Sequence, residues 1–169
     1  ADTWNQLVEG DLLSDVPGWS DDWYKSLGNG SIATLITGAW MPGVLESSVA
    51  EASGQWRVAP IPTYDGKPAN AENGGGGQVV LKQSKNPALA AGFLKWLNND
   101  EDSVKVFLDN GGFPATTADL NSDAFLSAAP EYFGGQKINE VLVQGAKDVS
   151  TGWQYLPYQV YANSIFADT

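Results

Sequence analysis

The stretch GSIATLITGAW, residues 30–40, decides the expected fold. Its centre, residues 32–37, is short, apolar and rich in β-branched residues without polar alternation, which is typical of a strand buried on both faces of a sheet. Pro42 follows closely and suits the first turn of a helix. The stretch therefore predicts a strand–loop–helix unit in which Trp40 follows the carboxyl end of the strand.

Further strands and helices alternate along the rest of the chain. Two more strands are predicted, at residues 56–61, which Pro60 and Pro62 interrupt, and at residues 78–81. Helical periodicity and capping residues predict helices at residues 3–13, 20–28, 42–49, 86–97, 100–108, 123–128, 138–147 and 157–167. This order predicts an α/β fold with a largely parallel sheet and a helical C-terminal portion. Because three strands are few for such a sheet, we expect its other strands to come from outside these residues.

The composition excludes several classes of function. The 20 acidic and 9 basic residues give a formal net charge of −11, which would repel nucleic acids and anionic lipid headgroups. Cysteine and histidine are absent, which excludes thiolate and imidazole metal sites and histidine general bases, so we expect neither a metal nor a cofactor. The 7 tryptophans and 6 tyrosines exceed what packing usually requires, which indicates that some of them face a ligand.

The first candidate for ligand binding is Trp40, with Gly38 two residues before it. Open α/β sheets bind ligands at the carboxyl ends of their strands, and a flat indole placed there can stack on the apolar face of a sugar ring. Core packing against the following helix is the competing interpretation. The position of Trp40 directly after the strand favours stacking.

The second candidate region is a run of four consecutive glycines and the amide side chains that flank it. Glycines would let backbone N–H groups approach ligand hydroxyls, and amides can both donate and accept hydrogen bonds. A bent connector with solvated flanks is the competing interpretation, and the residues alone leave the choice open. The candidates in this region are Asn73, Gly74, Gly75, Gly76 and Gln78.

The remaining tryptophans and the acidic runs have simpler interpretations. The runs at residues 21–22 and 100–102 open predicted helices, where carboxylates satisfy free N–H groups, so capping is preferred to metal binding or acid–base chemistry. Five tryptophans lie on predicted helices or strands, so packing is the preferred interpretation for Trp4, Trp19, Trp23, Trp56 and Trp96.

Taken in order, the motifs resemble a known family. A Gly-x-Trp sequence closes the first strand at residues 38–40, the second strand ends at Pro60-Ile61-Pro62, and Ser-Lys-Asn-Pro at residues 84–87 opens an alanine-rich helix. Asn-Gly-Gly-Phe-Pro follows at residues 110–114. The ordered set is similar to the C-terminal part of the carbohydrate-binding class of ABC-transporter extracellular solute-binding proteins, the maltose-binding-protein type.

The resemblance implies a periplasmic-binding-protein-like fold of type II, incomplete in this chain. Residues 1–59 would form part of one lobe, residues 60–113 would belong to the other, and residues 114–169 would return to the first. The resemblance also implies a ligand-stacking aromatic residue late in the chain, with Trp153 as the first choice and Tyr155 as the second.

The implied function is capture of an oligosaccharide outside the cytoplasm, without catalysis, and its delivery to the permease subunits of an ABC importer. A lipid anchor upstream of these residues would hold the protein at the outer face of the cell membrane. A glycoside hydrolase and a lectin-like module are the alternatives. We also expect the isolated chain to self-associate through unpaired strands, or to fold as a compact remnant with weak sugar affinity.

Overall fold

The computed structural model describes residues 2–152 and 154–166 of the chain. Its regular structure within these residues is helical. The α-helices are α1 (Asp2–Glu9), α2 (Asp21–Asn29), α3 (Met41–Ser48), α4 (Pro87–Asn99), α5 (Glu101–Asp109), α6 (Thr117–Leu120), α7 (Asp123–Ser127), α8 (Ile138–Lys147) and α9 (Gln159–Phe166). Two short 3-10 helices lie at Ala50–Ala52 and Glu131–Phe133. No helix in the described ranges is long and apolar enough to cross a membrane.

Short-range side-chain caps fix the starts of several helices. The Ser20 hydroxyl accepts a hydrogen bond from the Trp23 N–H at 3.2 Å and so caps α2. The Asp100 carboxylate accepts from the Asp102 N–H at 3.2 Å and caps α5. These bonds confirm the capping interpretation of Asp100, while Asp21 and Asp22 occupy the first turn of α2.

The three predicted strands do not form within residues 2–152 and 154–166. Residues 32–37, 56–61 and 78–81 lie outside regular structure, and the β-pairing in this part of the chain is one parallel bridge between Asn70 and Val149. A strand needs a neighbouring backbone for its N–H and C=O groups, and none of these segments pairs with another. The strand predictions are therefore wrong for this chain, and the α/β expectation is not confirmed.

The main core joins two parts of the sequence that lie far apart. Its buried members come from α2, α3 and its C-cap, α8 and the two 3-10 helices, and they are Trp23, Leu27, Met41, Leu45, Val49, Ala52, Tyr132, Phe133 and Ile138. Side chains packed around them fall within the same two stretches of chain, residues 16–58 and 132–142. The middle of the chain contributes nothing to this cluster among the described residues.

Gln136 takes the place of a neighbouring strand at Val58. The Val58 N–H donates to Gln136 Oε1 at 2.8 Å, and Gln136 Nε2 donates to the Val58 carbonyl at 2.7 Å. One side-chain amide thus satisfies both backbone groups that a ladder partner would satisfy. The predicted strand at residues 56–61 is tied to the late segment by this side chain.

The middle of the chain packs mainly within itself. Helices α4 and α5 contact each other, and the Ser103 hydroxyl donates to the Leu97 carbonyl at 2.8 Å. In the described part of the chain α4 has no buried residue, and its large side chains Phe93 and Trp96 are about half exposed. The segment that leads from α5 back to the core passes close to α3 at Gly111. An added β-carbon on Gly111 would lie 2.8 Å from the Gly43 Cα atom in α3.

Candidate functional site

Trp40 lies in the turn that precedes α3, where it is half-buried and packs against the main core, as the competing interpretation expects. Its indole Nε1–H donates a hydrogen bond to the Asn73 carbonyl oxygen at 2.8 Å, across 33 residues of sequence. Gly38 makes this approach possible, because an added β-carbon there would lie 2.4 Å from both the Asn73 oxygen and Trp40 Nε1, far inside contact distance. The structure therefore brings together three of the residues predicted from the sequence.

Gly74 completes this group. Its backbone has φ +113, and an added β-carbon would lie 2.9 Å from Trp40 Nε1, so glycine is needed both for its conformation and for its contact with the indole. Gly75, with φ +95, and Gly76 have open space around their α-carbons among the described residues. We call Gly38, Trp40, Asn73 and Gly74 the Trp40 site. All four are uncharged, so recognition here would rest on ring stacking and hydrogen bonds.

A second indole, Trp19, lies against the Trp40 site. The Trp19 and Trp40 rings stack with centroids 5.7 Å apart and planes inclined by 26°. Trp19 also packs at a tilt against Trp23, with centroids 5.1 Å apart, yet 58% of its surface is exposed. The sequence placed Trp19 among packing residues and so missed this stack. The signal that could have found it is Pro17-Gly18 directly before Trp19, which indicates a turn rather than a packed helix.

The packing prediction for the five remaining tryptophans has a mixed outcome. Trp23 is buried in the core and Trp56 packs against it, which confirms the prediction for these two. It is wrong for Trp4 and Trp96, which are 58% and 49% exposed, and Trp19 packs against Trp23 and Trp40 but leaves 58% of its surface exposed. For Trp4 and Trp96 the reason is that their helices, α1 and α4, bury no side chain within the described residues.

The other predicted site residues lie apart from this arrangement or cannot be placed. Gln78 Oε1 accepts a hydrogen bond from Asn98 Nδ2 at 2.6 Å, so its amide faces α4. Tyr155 is half exposed and lines a surface depression with residues of α9. Trp153 lies outside the described residues. Binding roles for these three residues, as for those of the Trp40 site and for Gly75 and Gly76, stay predictions.

Carboxylates do not converge into a metal site in the described residues. Partial burial raises the pKa of the Glu46 carboxyl above its ordinary value. Glu46 and Asp109 line a small cavity of about 140 Å³ beneath α3. Gly43 and Gly111 line the same cavity, so it lies where α5 returns to the core.

Comparison with known proteins supplies the context for this geometry. The chain is 44% identical to the ABC transporter associated binding protein from B. animalis subsp. lactis Bl-04, whose structure was solved in complex with β-1,6-galactobiose. The two superpose with a TM-score of 0.88, covering 99% of this chain and 43% of that protein.

Two curated relatives are sugar-binding proteins. The lactose-binding protein of Rhizobium radiobacter is 26% identical over 123 residues, 70% of this chain and 29% of that protein. The arabinooligosaccharide-binding protein of Bacillus subtilis (strain 168) is 27% identical over 114 residues, 67% of this chain and 26% of that protein. The chain thus spans less than a third of these relatives and under half of the solved structure.

The family itself follows from a match that covers most of the chain. The family described as bacterial extracellular solute-binding protein matches residues 2–134. The motifs that carry the resemblance, from residue 30 to residue 114, all lie within this range. The chain therefore belongs to the bacterial extracellular solute-binding proteins.

Proposed function

We propose that this chain is part of the substrate-binding component of an ABC sugar importer, which captures an oligosaccharide outside the cytoplasm and delivers it to a membrane permease. The observation that carries the proposal is the geometry of Trp40. Its indole edge is held by the 2.8 Å bond to the Asn73 carbonyl, and the open backbone of Gly75 and Gly76 follows directly after the Trp40 site.

This arrangement suits a sugar in two ways. The flat indole offers an apolar surface to the C–H face of a pyranose ring, and its fixed edge keeps that surface in one orientation. The backbone N–H groups of the glycines are not shielded by side chains, so they can donate to hydroxyls. A neutral, hydroxyl-rich ligand needs no charged partner, which agrees with the uncharged Trp40 site.

The relatives point to the same class of ligand. The names of the curated relatives describe binding of lactose and of arabinooligosaccharides, and the solved protein was crystallised with β-1,6-galactobiose. Each of these ligands has at least two sugar units. We infer that the present chain contributes to a site for an oligosaccharide, in which Trp153 and Tyr155 are candidates for further stacking contacts.

The position of the core supports a two-lobed arrangement. We propose that residues 1–59 and 114–169 belong to one lobe, because the main core is built from residues 16–58 and 132–142. Residues 60–113 would belong to the other lobe, in which α4 and α5 pack against each other, while Asn70 and Asn73 contact the first lobe. Strands from the remainder of a longer protein would pair with residues 32–37, 56–61 and 78–81 and complete an α/β fold of the type II periplasmic-binding-protein kind.

The remaining parts of the proposal concern location and chemistry. An extracytoplasmic position follows from the family, and a lipid anchor upstream of these residues would hold the protein close to the permease. We propose binding without catalysis. A glycoside hydrolase needs two carboxylates that flank the scissile bond, whereas the acidic groups at residues 21–22 and 100–102 open helices.

The test is calorimetric titration of the full-length protein with lactose, arabinooligosaccharides and β-1,6-galactobiose. At least one should bind, and Trp40→Ala should weaken that binding about tenfold, the loss expected for one stacked ring. Trp4→Ala is the matched control, since it removes an exposed indole from α1 and should leave the affinity unchanged. Equal affinities of wild type and Trp40→Ala would contradict the proposed site.

Two further measurements separate the alternatives. Monosaccharide released from any of these sugars during incubation with the protein would indicate a hydrolase. Sugar uptake by cells that is unchanged when the protein is deleted would indicate a lectin-like module instead of a transport component.

A further inference from the structure

Trp19 has a backbone conformation that is rare for its residue type. Its φ is +67, in the left-handed region, where the β-carbon of a bulky residue crowds the following carbonyl. In the described ranges only one other non-glycine residue, Asp11, has a positive φ. A strained backbone persists where the surrounding structure fixes it, and such strain often marks a functional position.

The turn around Trp19 is fixed from both sides. The Ser20 hydroxyl donates to the Pro17 carbonyl at 2.7 Å, and the same hydroxyl accepts the Trp23 N–H that starts α2. Trp23 itself is buried in the core. The conformation of Trp19 is therefore tied to the rigid start of α2.

The strained backbone places the Trp19 indole on Trp40. The two rings are stacked at 5.7 Å, while Trp19 leaves 58% of its own surface exposed. If Trp19 served only to bury apolar surface, we would not expect its ring to be so exposed while its backbone adopts so rare a conformation. In this conformation the ring leans at a tilt on Trp23, meets Tyr24 edge-on, and lies nearly parallel only to Trp40, at 26°.

We propose that Trp19 is a positioning residue for Trp40. The Asn73 carbonyl holds the edge of the Trp40 indole, and Trp19 holds one face of it, so the ring keeps one orientation before a ligand arrives. Fixing a binding group in advance reduces the ordering that binding must otherwise supply. The consequence for sugar affinity rests on the proposed function, whereas the restraint on the Trp40 ring does not.

The test compares Trp19→Gly, Trp19→Phe and Asp11→Gly in the full-length protein. Glycine accepts a positive φ without strain, so Trp19→Gly removes the ring without a backbone penalty, and phenylalanine restores an aromatic face. Asp11→Gly releases backbone strain at φ +53 without altering an aromatic ring, and serves as the matched control.

Two readouts decide the outcome. The first is the NMR signal of the Trp40 indole N–H, assigned by its loss in Trp40→Phe. In Trp19→Gly this signal should shift and exchange with solvent several-fold faster, whereas Trp19→Phe and Asp11→Gly should resemble wild type. The second is titration with β-1,6-galactobiose, in which Trp19→Gly should bind about three- to tenfold more weakly and Trp19→Phe should recover most of the affinity.

An unchanged Trp40 N–H signal and unchanged exchange in Trp19→Gly would overturn the proposal, and so would equal loss of affinity in the glycine and phenylalanine variants. If the wild type binds no sugar, the proposed function fails. The N–H signal then still decides whether Trp19 positions Trp40.

Discussion

The hydroxyl of Tyr132 donates a hydrogen bond to the Val49 carbonyl at 2.8 Å, in a contact that spans 83 residues of sequence. The tyrosine is buried in the core cluster and joins its two halves. Burial, together with the negative charges of Glu51 and Glu46, raises the pKa of Tyr132 to about 12. The buried position of Tyr132 beside these carboxylates is therefore a source of pH dependence.

We predict that stability falls at alkaline pH because of Tyr132. In the unfolded chain its pKa is near 10, so between pH 10 and 12 the unfolded state loses a proton that the folded state keeps. The stabilisation is complete well below pH 10 and decreases by at most about 2 kcal/mol as the pH rises to 12. Urea unfolding at a series of pH values measures this decrease.

Tyr132→Phe is the control for this prediction. It should cost about 1 kcal/mol at neutral pH, since the Val49 carbonyl loses its donor. It should also flatten the alkaline decrease relative to wild type. Identical pH dependence in the two proteins would show that other groups are responsible.

A second prediction concerns the close approach of α3 to the segment after α5. Gly111 (φ +77) would place a β-carbon 2.8 Å from Gly43 Cα, whereas Gly54 (φ +82) has open space around it among the described residues. Both alanine variants share the cost of a positive φ, about 1 kcal/mol. Gly111→Ala should lower the free energy of unfolding by about 1–3 kcal/mol more than Gly54→Ala, because the α3 backbone at Gly43 must move. Urea unfolding of the two variants measures the difference, and equal costs would contradict the close approach.

A third prediction tests the contact of the glycine run with Trp40. Gly74→Ala would bring a β-carbon to 2.9 Å from the indole nitrogen, while Gly75→Ala meets open space among the described residues. We expect Gly74→Ala to be about 1 kcal/mol less stable than Gly75→Ala in thermal or urea unfolding. In a Trp40→Ala background the difference should vanish, since the contacting indole is gone. A difference that persists in that background would assign the cost to the backbone alone.

A fourth prediction concerns self-association of the 169-residue chain. Val79 and Leu81 are exposed in an apolar segment that lies outside regular structure and has no β-partner in the described residues. Such a segment can pair with a second molecule, so light scattering should detect dimers or larger species. Val79→Lys should shift the chain toward monomer.

Leu89→Lys is the matched control, because Leu89 and Val79 are both 75% exposed but Leu89 lies on helix α4. If only Leu89→Lys restores the monomer, the helix face and not strand pairing holds the molecules together. A strictly monomeric wild type would contradict the prediction itself.

The sequence predicted the helices well because their signals are local. The helix predicted at residues 138–147 has the observed bounds of α8, and Ser20 and Asp100 cap the helices that they were expected to cap. The strands could not be predicted in the same way, because a strand forms only with a partner strand. That partner can be distant in the sequence or belong to another part of a longer protein. Helix α6 was missed because its four residues give too short a period to detect.

The residues of the candidate site show the same difference between local signals and long-range contacts. Gly38 and Trp40 were predicted from their place after a strand that does not form in the described residues, yet the structure brings Asn73 and Gly74 to them. Trp19 was missed because the turn signal of Pro17-Gly18 does not specify which ring the following side chain will meet. The contact of Gln78 with Asn98 depends on how the chain folds back onto α4, which no local spacing encodes.

The pairing of Gln136 with Val58, 78 residues apart, has a consequence for the order of synthesis. A ribosome makes the Val58 region long before Gln136, Phe133 and Ile138 exist. Until they emerge, the apolar faces of α2 and α3 lack the residues that bury them, so the early part of a nascent chain stays open to chaperones. Closing so long a loop is slow compared with forming the helices themselves. A nascent chain that stops before residue 132 would carry six of the nine buried residues of the main core, whereas one that reaches residue 142 carries all nine of those in the described residues.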